Sequence, residues 1–207
     1  MFTGLIQSKA KLVKRAPRGN FGECWSFQCE ELTRQLKEGD SIALNGVCLT
    51  ALRLKDGIHF EAELSPETLE KTSLREITEG TELNAELPAT PQSFLGGHWV
   101  QGHVDGVATI ASIESLGGFF HVKIEMPEAL MRYMIPKGSV AIDGISLTIN
   151  GLSKNEVDLM IIPKTWEKTN LGGARVGQKV NVEADSFVKT IEHFWIQSQA
   201  QFSGVHK

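Results

Sequence analysis

The chain has 207 residues, a formal net charge of −4 with the two signs interspersed, and 41% hydrophobic residues. That length suits one or two domains with a real core, and the weakly acidic balance excludes the basic face that a nucleic-acid partner requires. No stretch is long and apolar enough to span a bilayer, and the amino terminus lacks a charged segment followed by an apolar run, so a soluble cytoplasmic protein is expected.

In chain order, Phe2 to Val13 reads as a strand ending in the basic, Pro/Gly-rich turn Lys14 to Asn20. A second strand covers Trp25 to Cys29, and Glu30 to Glu38 reads as a short helix closed by Gly39-Asp40. Ser41-Ile42-Ala43-Leu44-Asn45-Gly46-Val47-Cys48-Leu49-Thr50 follows as a strand with one apolar face, carrying Val47 and Leu49, and one small polar face, carrying Cys48 and Thr50. Lys55-Asp56-Gly57 is a hairpin signal before Ile58 to Leu64. Ser65-Pro66-Glu67 supplies an N-cap, a proline at the first helical position and an acid in the first turn. Glu79-Gly80 then turns the chain into a last strand, Glu82 to Leu87.

The same series then repeats. Val100 to Ala111 answers Phe2 to Val13 with Gly102 on Gly4, Phe119 to Glu125 is a strand, and Pro127 to Ile135 is the short helix before Lys137-Gly138. The polar-faced stretch returns as Ser139-Val140-Ala141-Ile142-Asp143-Gly144-Ile145-Ser146-Leu147-Thr148. Ile162 to Leu171 repeats Ser65 to Leu74, and Gly177 to Glu183 repeats Gly80 to Glu86 with Gly, Asn and Glu in phase. The expected organisation is therefore a first unit over 1–88, a Pro/Gly linker over 89–97, a second unit over 98–185 and a distinct tail over 186–207. Short strands broken by Gly and Asp turns, with no long helices between them, predict an all-β chain of two compact antiparallel barrels. From Ser186, a candidate N-cap, the tail places Phe187, Val188, Ile191, Phe194 and Trp195 on one helical face. Such a stripe packs against its own barrel or meets another subunit.

Three cysteines, Cys24, Cys29 and Cys48, without a CxxC pair predict free thiols, and six histidines without ligand spacing imply no metal. No GxGxxG, P-loop or GxSxG motif is present. A lone strand cysteine is more often a small core residue than a nucleophile. The register of Cys48 with Ser146, each followed by Thr on the same face, instead points to a ligand-facing row. His103 stands beside Gly102, the glycine shared by both units, and an imidazole is a suitable proton acceptor near neutrality. His98 reads as holding its loop. Lys137 and Asp143 flank the second polar strand where the first unit has Gly39 and Asn45, and as pocket groups they suit a neutral ligand rich in hydroxyls and carbonyls.

Met1-Phe2-Thr3-Gly4, the doubled Asn45-Gly46-Val47-Cys48-Leu49-Thr50 and Asp143-Gly144-Ile145-Ser146-Leu147-Thr148, the run from Gly96-Gly97-His98 to Gly102-His103-Val104-Asp105-Gly106, and the two Pro-x-Thr helices together resemble the riboflavin synthase family of the trimeric alpha-chain type. The resemblance covers essentially the whole chain. It implies two six-stranded Greek-key barrels, a C-terminal helix that assembles a homotrimer, and association with a lumazine synthase shell in some settings. The implied reaction is a cofactor-independent dismutation of two molecules of 6,7-dimethyl-8-ribityllumazine, at sites between the N-terminal barrel of one subunit and the C-terminal barrel of its neighbour.

By the same resemblance, His103 and Thr148 move the proton of the substrate's 7-methyl group, while Cys48 and Ser146 contact the ring. Substrate-binding positions carried over by motif are Gly4, Leu5 and Ile6; Cys48, Leu49 and Thr50; Glu63, Leu64, Ser65, Pro66, Glu67 and Thr68; Gly102, His103 and Val104; Lys137 and Asp143; Ser146, Leu147 and Thr148; and Ile162, Pro163, Lys164, Thr165, Trp166 and Glu167. Two departures stand out. Leu87-Pro88 follows Asn84-Ala85-Glu86 where the family usually reads Arg-Ala, and Trp166 replaces a more usual Leu. The alternative reading is a non-catalytic lumazine-binding fluorescent protein; retention of Cys48, His103, Ser146 and Thr148 favours the enzyme.

Overall fold

A computed structural model describes the backbone of residues 1–203 and the side chains of residues 1–199; the last part of the 186–207 tail lies outside the described residues. Strands β1 (Ser8–Pro17), β2 (Glu23–Gln28), β3 (Ser41–Leu44), β4 (Val47–Lys55), β5 (His59–Leu64) and β6 (Glu82–Glu86) close an antiparallel barrel in the order β1-β2-β5-β4-β3-β6. Strands β7 (Gly106–Leu116), β8 (Phe119–Glu125), β9 (Ser139–Ile142), β10 (Ile145–Ser153), β11 (Glu156–Ile161) and β12 (Lys179–Ala184) close a second barrel in the corresponding order. Short helices α1 (Glu30–Thr33) and α3 (Glu128–Met131) put Leu32 and Leu130 into the two cores, α2 (Pro66–Lys71) and α4 (Pro163–Lys168) follow β5 and β11, and α5 (Ser186–Ser203) ends the described chain.

Alternation fills each barrel: Leu12, Trp25, Phe27, Ile42, Leu44 and Phe60 are fully buried in the first, and Ile110, Val122, Ile124, Ile142, Ile149 and Val157 take over in the second. Each such side chain contributes roughly 1.5–3 kcal/mol when removed from water. Closure leaves neither sheet an unpaired edge.

The repeated stretch differs from the single strand read in the sequence. Ser41 to Thr50 is a hairpin, with Leu44 opposite Val47 and Asn45-Gly46 as its two-residue turn, and Ser139 to Thr148 repeats it around Asp143-Gly144. Both turn residues have positive φ in each copy, 43° and 74° in the first and 45° and 78° in the second, which is the turn whose twist suits paired strands. Three further elements shift. β1 starts at Ser8 and runs on to Pro17, because residues 2–7 leave the barrel; the helix expected over Glu30 to Glu38 stops at Thr33; and β7 begins at Gly106 rather than Val100. The Lys55 hairpin and the Ser65 cap are as expected, with the Ser65 hydroxyl accepting from the Thr68 amide.

The two barrels meet across a local two-fold axis at these turns. A Cβ on Gly46 would lie 2.6 Å from the Gly144 nitrogen, and one on Gly144 would lie 2.8 Å from the Gly46 nitrogen, so only glycine lets the turns touch backbone to backbone. Around them, the Asn84 amide donates to the Asp143 carbonyl at 3.0 Å, and the Asn181 amide donates to the Asn45 carbonyl at 2.8 Å. Their carbonyls accept from the Asn170 and Ser73 amides, both at 2.7 Å. Every member of this buried network has a partner, which is the condition for polar groups to stabilise an interface rather than cost it. Phe2 and Val100 add an antiparallel bridge on the same axis and pack with Ala43 and Ala141.

The last helix is capped by Asp185 rather than Ser186: the Asp185 carboxylate accepts from the Phe187 amide at 2.9 Å. It is pinned to the second barrel by Lys189 on the Asp105 carboxylate and by Arg132 on Glu192. Its apolar stripe faces away from both barrels, with Phe187, Ile191, Phe194 and Trp195 each about two-thirds exposed and Val188 half-buried. No helix among the described residues is long and apolar enough to cross a membrane.

Candidate functional site

The polar rows follow from hairpin register. Directly opposite residues of an antiparallel pair share a face, so Cys48 with Ala43 and Thr50 with Ser41 form one outward row, and Ser146 with Ala141 and Thr148 with Ser139 form the other. Val47, Leu49 and Ala51 point into the first core, as Ile145 and Ile149 do into the second, with Leu147 packed at its edge. Cys48 and Ser146 are half-buried, and Thr50 and Thr148 are exposed.

Each row is covered by the opening segment of the other unit. The Cys48 amide donates to the Gly102 carbonyl at 3.0 Å, and the Ser146 amide donates to the Gly4 carbonyl at 2.8 Å. Past these contacts Val104 packs against the first core and Ile6 against the second. His103, which belongs in sequence to the second unit, therefore stands with Cys48 on the first barrel, and Leu5 stands with Ser146 on the second. Both glycines have positive φ, and a Cβ on Gly102 would fall 2.6 Å from the Cys48 Cβ, as one on Gly4 would fall 2.5 Å from the Ser146 Cβ.

Two buried carboxylates hold these crossing segments. Glu86 accepts from the Thr3 amide and hydroxyl, both at 2.7 Å, and from the Gly4 amide at 3.1 Å. Glu183 accepts from the amides of Gln101, Gly102 and His103 at 2.6, 2.8 and 3.0 Å. Burial raises both carboxyls above the ordinary glutamate range, and the donors hold part of that rise back.

The remaining candidates divide between these two half-sites and a groove. Ala51 pairs with Ala62, so one step along Glu63 lies beside Thr50, while Leu64, the next residue, is buried in the first core; the strand leads through Ser65 into α2 with Pro66, Glu67 and Thr68. Glu63 is ion-paired with Arg18 and Arg53. In the second barrel, Ile162 leads into α4 with Pro163, Lys164 and Thr165 in the equivalent place. Lys137 has φ 67° where the first unit has Gly39, and its amide is tied to the Ile149 carbonyl next to Thr148.

Asp143 is elsewhere. It is buried on the two-fold axis, accepting from the Asn181 amide and the Asn170 side chain, both at 2.7 Å, and burial pushes its carboxyl up to about 7. Trp166 stacks on Phe120 with ring centroids 3.9 Å apart, and with Glu167 it lines a groove of about 780 Å³ between the barrels. That groove holds none of Cys48, His103, Ser146 and Thr148. The two copies differ in chemistry on the outward rows instead, at Cys48 against Ser146.

A family model described as "Lumazine binding domain" matches the chain twice, over residues 3–88 and 101–185. The riboflavin synthase of Mycobacterium tuberculosis is 38% identical over 195 residues, 93% of this chain and 96% of that protein. That of Bacillus subtilis is 34% identical over 194 residues, covering 94% and 89%. The chain belongs to the riboflavin synthase family. Among solved structures, LumP complexed with 6,7-dimethyl-8-(1'-D-ribityl) lumazine superposes with a TM-score of 0.80 over 89% of this chain and 99% of that one, at 23% identity, a likeness of fold.

Three residues that sequence reasoning did not place at the half-sites make contacts there. Glu86 and Glu183 set the crossing segments, and the signal for them was their shared phase with Gly and Asn in the two copies. His98, read as a loop residue, places its imidazole Nδ1 2.7 Å from the Ser146 hydroxyl. That contact joins residues 48 apart within the second unit, and no sequence spacing announces it.

Proposed function

We propose that the chain is a transferase that dismutates two molecules of 6,7-dimethyl-8-ribityllumazine, one giving a four-carbon unit to the other, to yield riboflavin and 5-amino-6-ribitylaminouracil. The observation that carries this reading is the pair of like half-sites that differ at Cys48 against Ser146 and at His103 against Leu5. Two identical substrates call for two like pockets, and their unequal fates call for the pockets to differ. The atoms of two substrates equal those of the two products, so the reaction consumes no external oxidant or reductant.

In each half-site, backbone amides and carbonyls of the crossing segment and of the residues entering α2 or α4 would pair with the ring's amide edge, and polar side chains with the ribityl hydroxyls. His103 takes the proton of the 7-methyl group, and the resulting carbanion attacks the second ring. Thr148 assists from a second chain, because within one chain the two residues lie on different barrels. The complete site is accordingly built between the first barrel of one subunit and the second barrel of another. The exposed aromatic stripe of α5 supports assembly into a homotrimer, since a patch of that kind left in water favours association. The units 1–88 and 98–185 are then paired lumazine-binding domains of a cytoplasmic enzyme, with 186–207 as its assembly element.

The test is to incubate the purified chain with 6,7-dimethyl-8-ribityllumazine alone and follow riboflavin by absorbance and chromatography. Turnover that His103→Ala abolishes supports the reading. Tight fluorescent binding with no riboflavin refutes it in favour of a non-catalytic lumazine carrier.

A further inference from the structure

His98 breaks the symmetry between the two half-sites. It is buried, 8% exposed, its own amide donates to the Thr3 carbonyl at 3.2 Å, and its Nδ1 lies 2.7 Å from the Ser146 hydroxyl. The approach is tight: a Cβ on the preceding Gly97 would fall 2.1 Å from the Thr3 carbonyl oxygen and 2.9 Å from the Ser146 hydroxyl oxygen. On the first barrel, no described side chain hydrogen-bonds the Cys48 thiol, the counterpart of Ser146. The other ring nitrogen, His98 Nε2, is fully buried and has no partner.

That unpartnered nitrogen decides the tautomer. If Nδ1 accepted from the serine, Nε2 would carry a buried N–H with nothing to accept it, and orphaned buried donors are the rarest kind of unsatisfied group. With the proton on Nδ1, the ring donates to the Ser146 oxygen and Nε2 keeps only a bare lone pair. Burial also pulls the ring's protonation below the ordinary histidine range, against a partial counter-pull from Asp185, which favours the neutral ring. The serine oxygen then accepts from His98, which leaves its own hydrogen free to donate to another acceptor.

We propose that His98 is a positioning residue that fixes Ser146 as a hydrogen-bond donor to an acceptor atom of the ring bound on the second barrel. The ligand atom so recognised is a carbonyl oxygen or imine nitrogen. Cys48, with no such director, keeps a freely rotating thiol on the first barrel, and the two rings are treated differently by residues at equivalent positions. The inference rests on the proposed lumazine-binding reading of the half-sites.

Long-range proton–nitrogen NMR on the 15N-histidine-labelled full chain reads the tautomer directly, with the His98 signal identified by its loss in His98→Asn. A protonated Nδ1 and an unprotonated Nε2 are expected and the reverse overturns the proposal; should no His98 variant fold, single replacements of the other five histidines identify the signal by elimination. Turnover and ligand fluorescence of His98→Asn, His98→Gln and His98→Ala give the second readout, since an asparagine amide can sit near Nδ1 and a glutamine amide cannot. His98→Asn should stay within about fivefold of the parent in kcat, while His98→Gln and His98→Ala lose about tenfold or more with KM little changed. Folded variants that all turn over equally, or an Asn variant no better than Ala, defeat the positioning role. A parent chain that binds no ribityllumazine defeats the functional reading instead.

Discussion

Replacing Gly102 with alanine probes the junction on which the first half-site depends. Gly102 has φ +80°, and a Cβ there would lie 2.6 Å from the Cys48 Cβ and 2.9 Å from its nitrogen. Both obstacles are rigid, so the segment must withdraw and break the 3.0 Å bond from the Cys48 amide to the Gly102 carbonyl. Backbone strain of about 1–2 kcal/mol, overpacking of about 1–3 and a lost hydrogen bond of about 1 sum to roughly 3–6 kcal/mol. Gly80→Ala is the matched control: φ is +92°, but nothing lies within 4 Å of its Cβ, so only the strain remains. Urea unfolding should place Gly102→Ala about 2–4 kcal/mol below that control with an unchanged m-value, and ribityllumazine titration should show weakened binding. Stability and binding equal to those of Gly80→Ala would refute the close approach as the organising feature of this half-site.

The remaining predictions concern charge, assembly and division of labour. Asp143 has its carboxyl raised from 3.8 to about 7, so between those values the folded chain holds a proton that the unfolded chain has released, and stability falls as pH rises through that window. Asp143→Asn should remove about 2–4 kcal/mol of that dependence, leaving the smaller slope of the same sign from Glu86 and Glu183; unfolding curves parallel to the parent's from pH 4 to 8 contradict it. His103→Ala and Thr148→Ala should each be inactive, yet refolding them together in equal amounts should recover up to about a quarter of parental turnover, because some interfaces then join two intact half-sites. Absence of recovery in verified mixed oligomers places both residues in one chain's site. Deletion from Phe187 onward should give monomers with little activity by light scattering and turnover assay, and a fully active monomer excludes interface-built sites.

Sequence by itself determined the doubling, the strand alternation and the inward or outward sense of each row. All three rest on local periodicity and on comparing one half of the chain with the other. Val47 and Leu49 point inward and Cys48 and Thr50 outward because strand side chains alternate, whatever the rest of the chain does. The Asn45-Gly46 and Asp143-Gly144 turns were equally legible, being the dipeptides that demand two positive φ values; reading through them merged each hairpin into a single strand. What only the tertiary structure decided was the partner of each row. The opening segments cross between barrels, so His103 serves the first barrel and Leu5 the second, and this exchange depends on Glu86 and Glu183 catching backbone amides about eighty residues away in sequence. Periodicity carries no trace of such a contact. Asp143 and His98 show the same limit: one looked like a pocket group and is a buried axis residue, the other looked like a loop support and touches the serine of the second half-site.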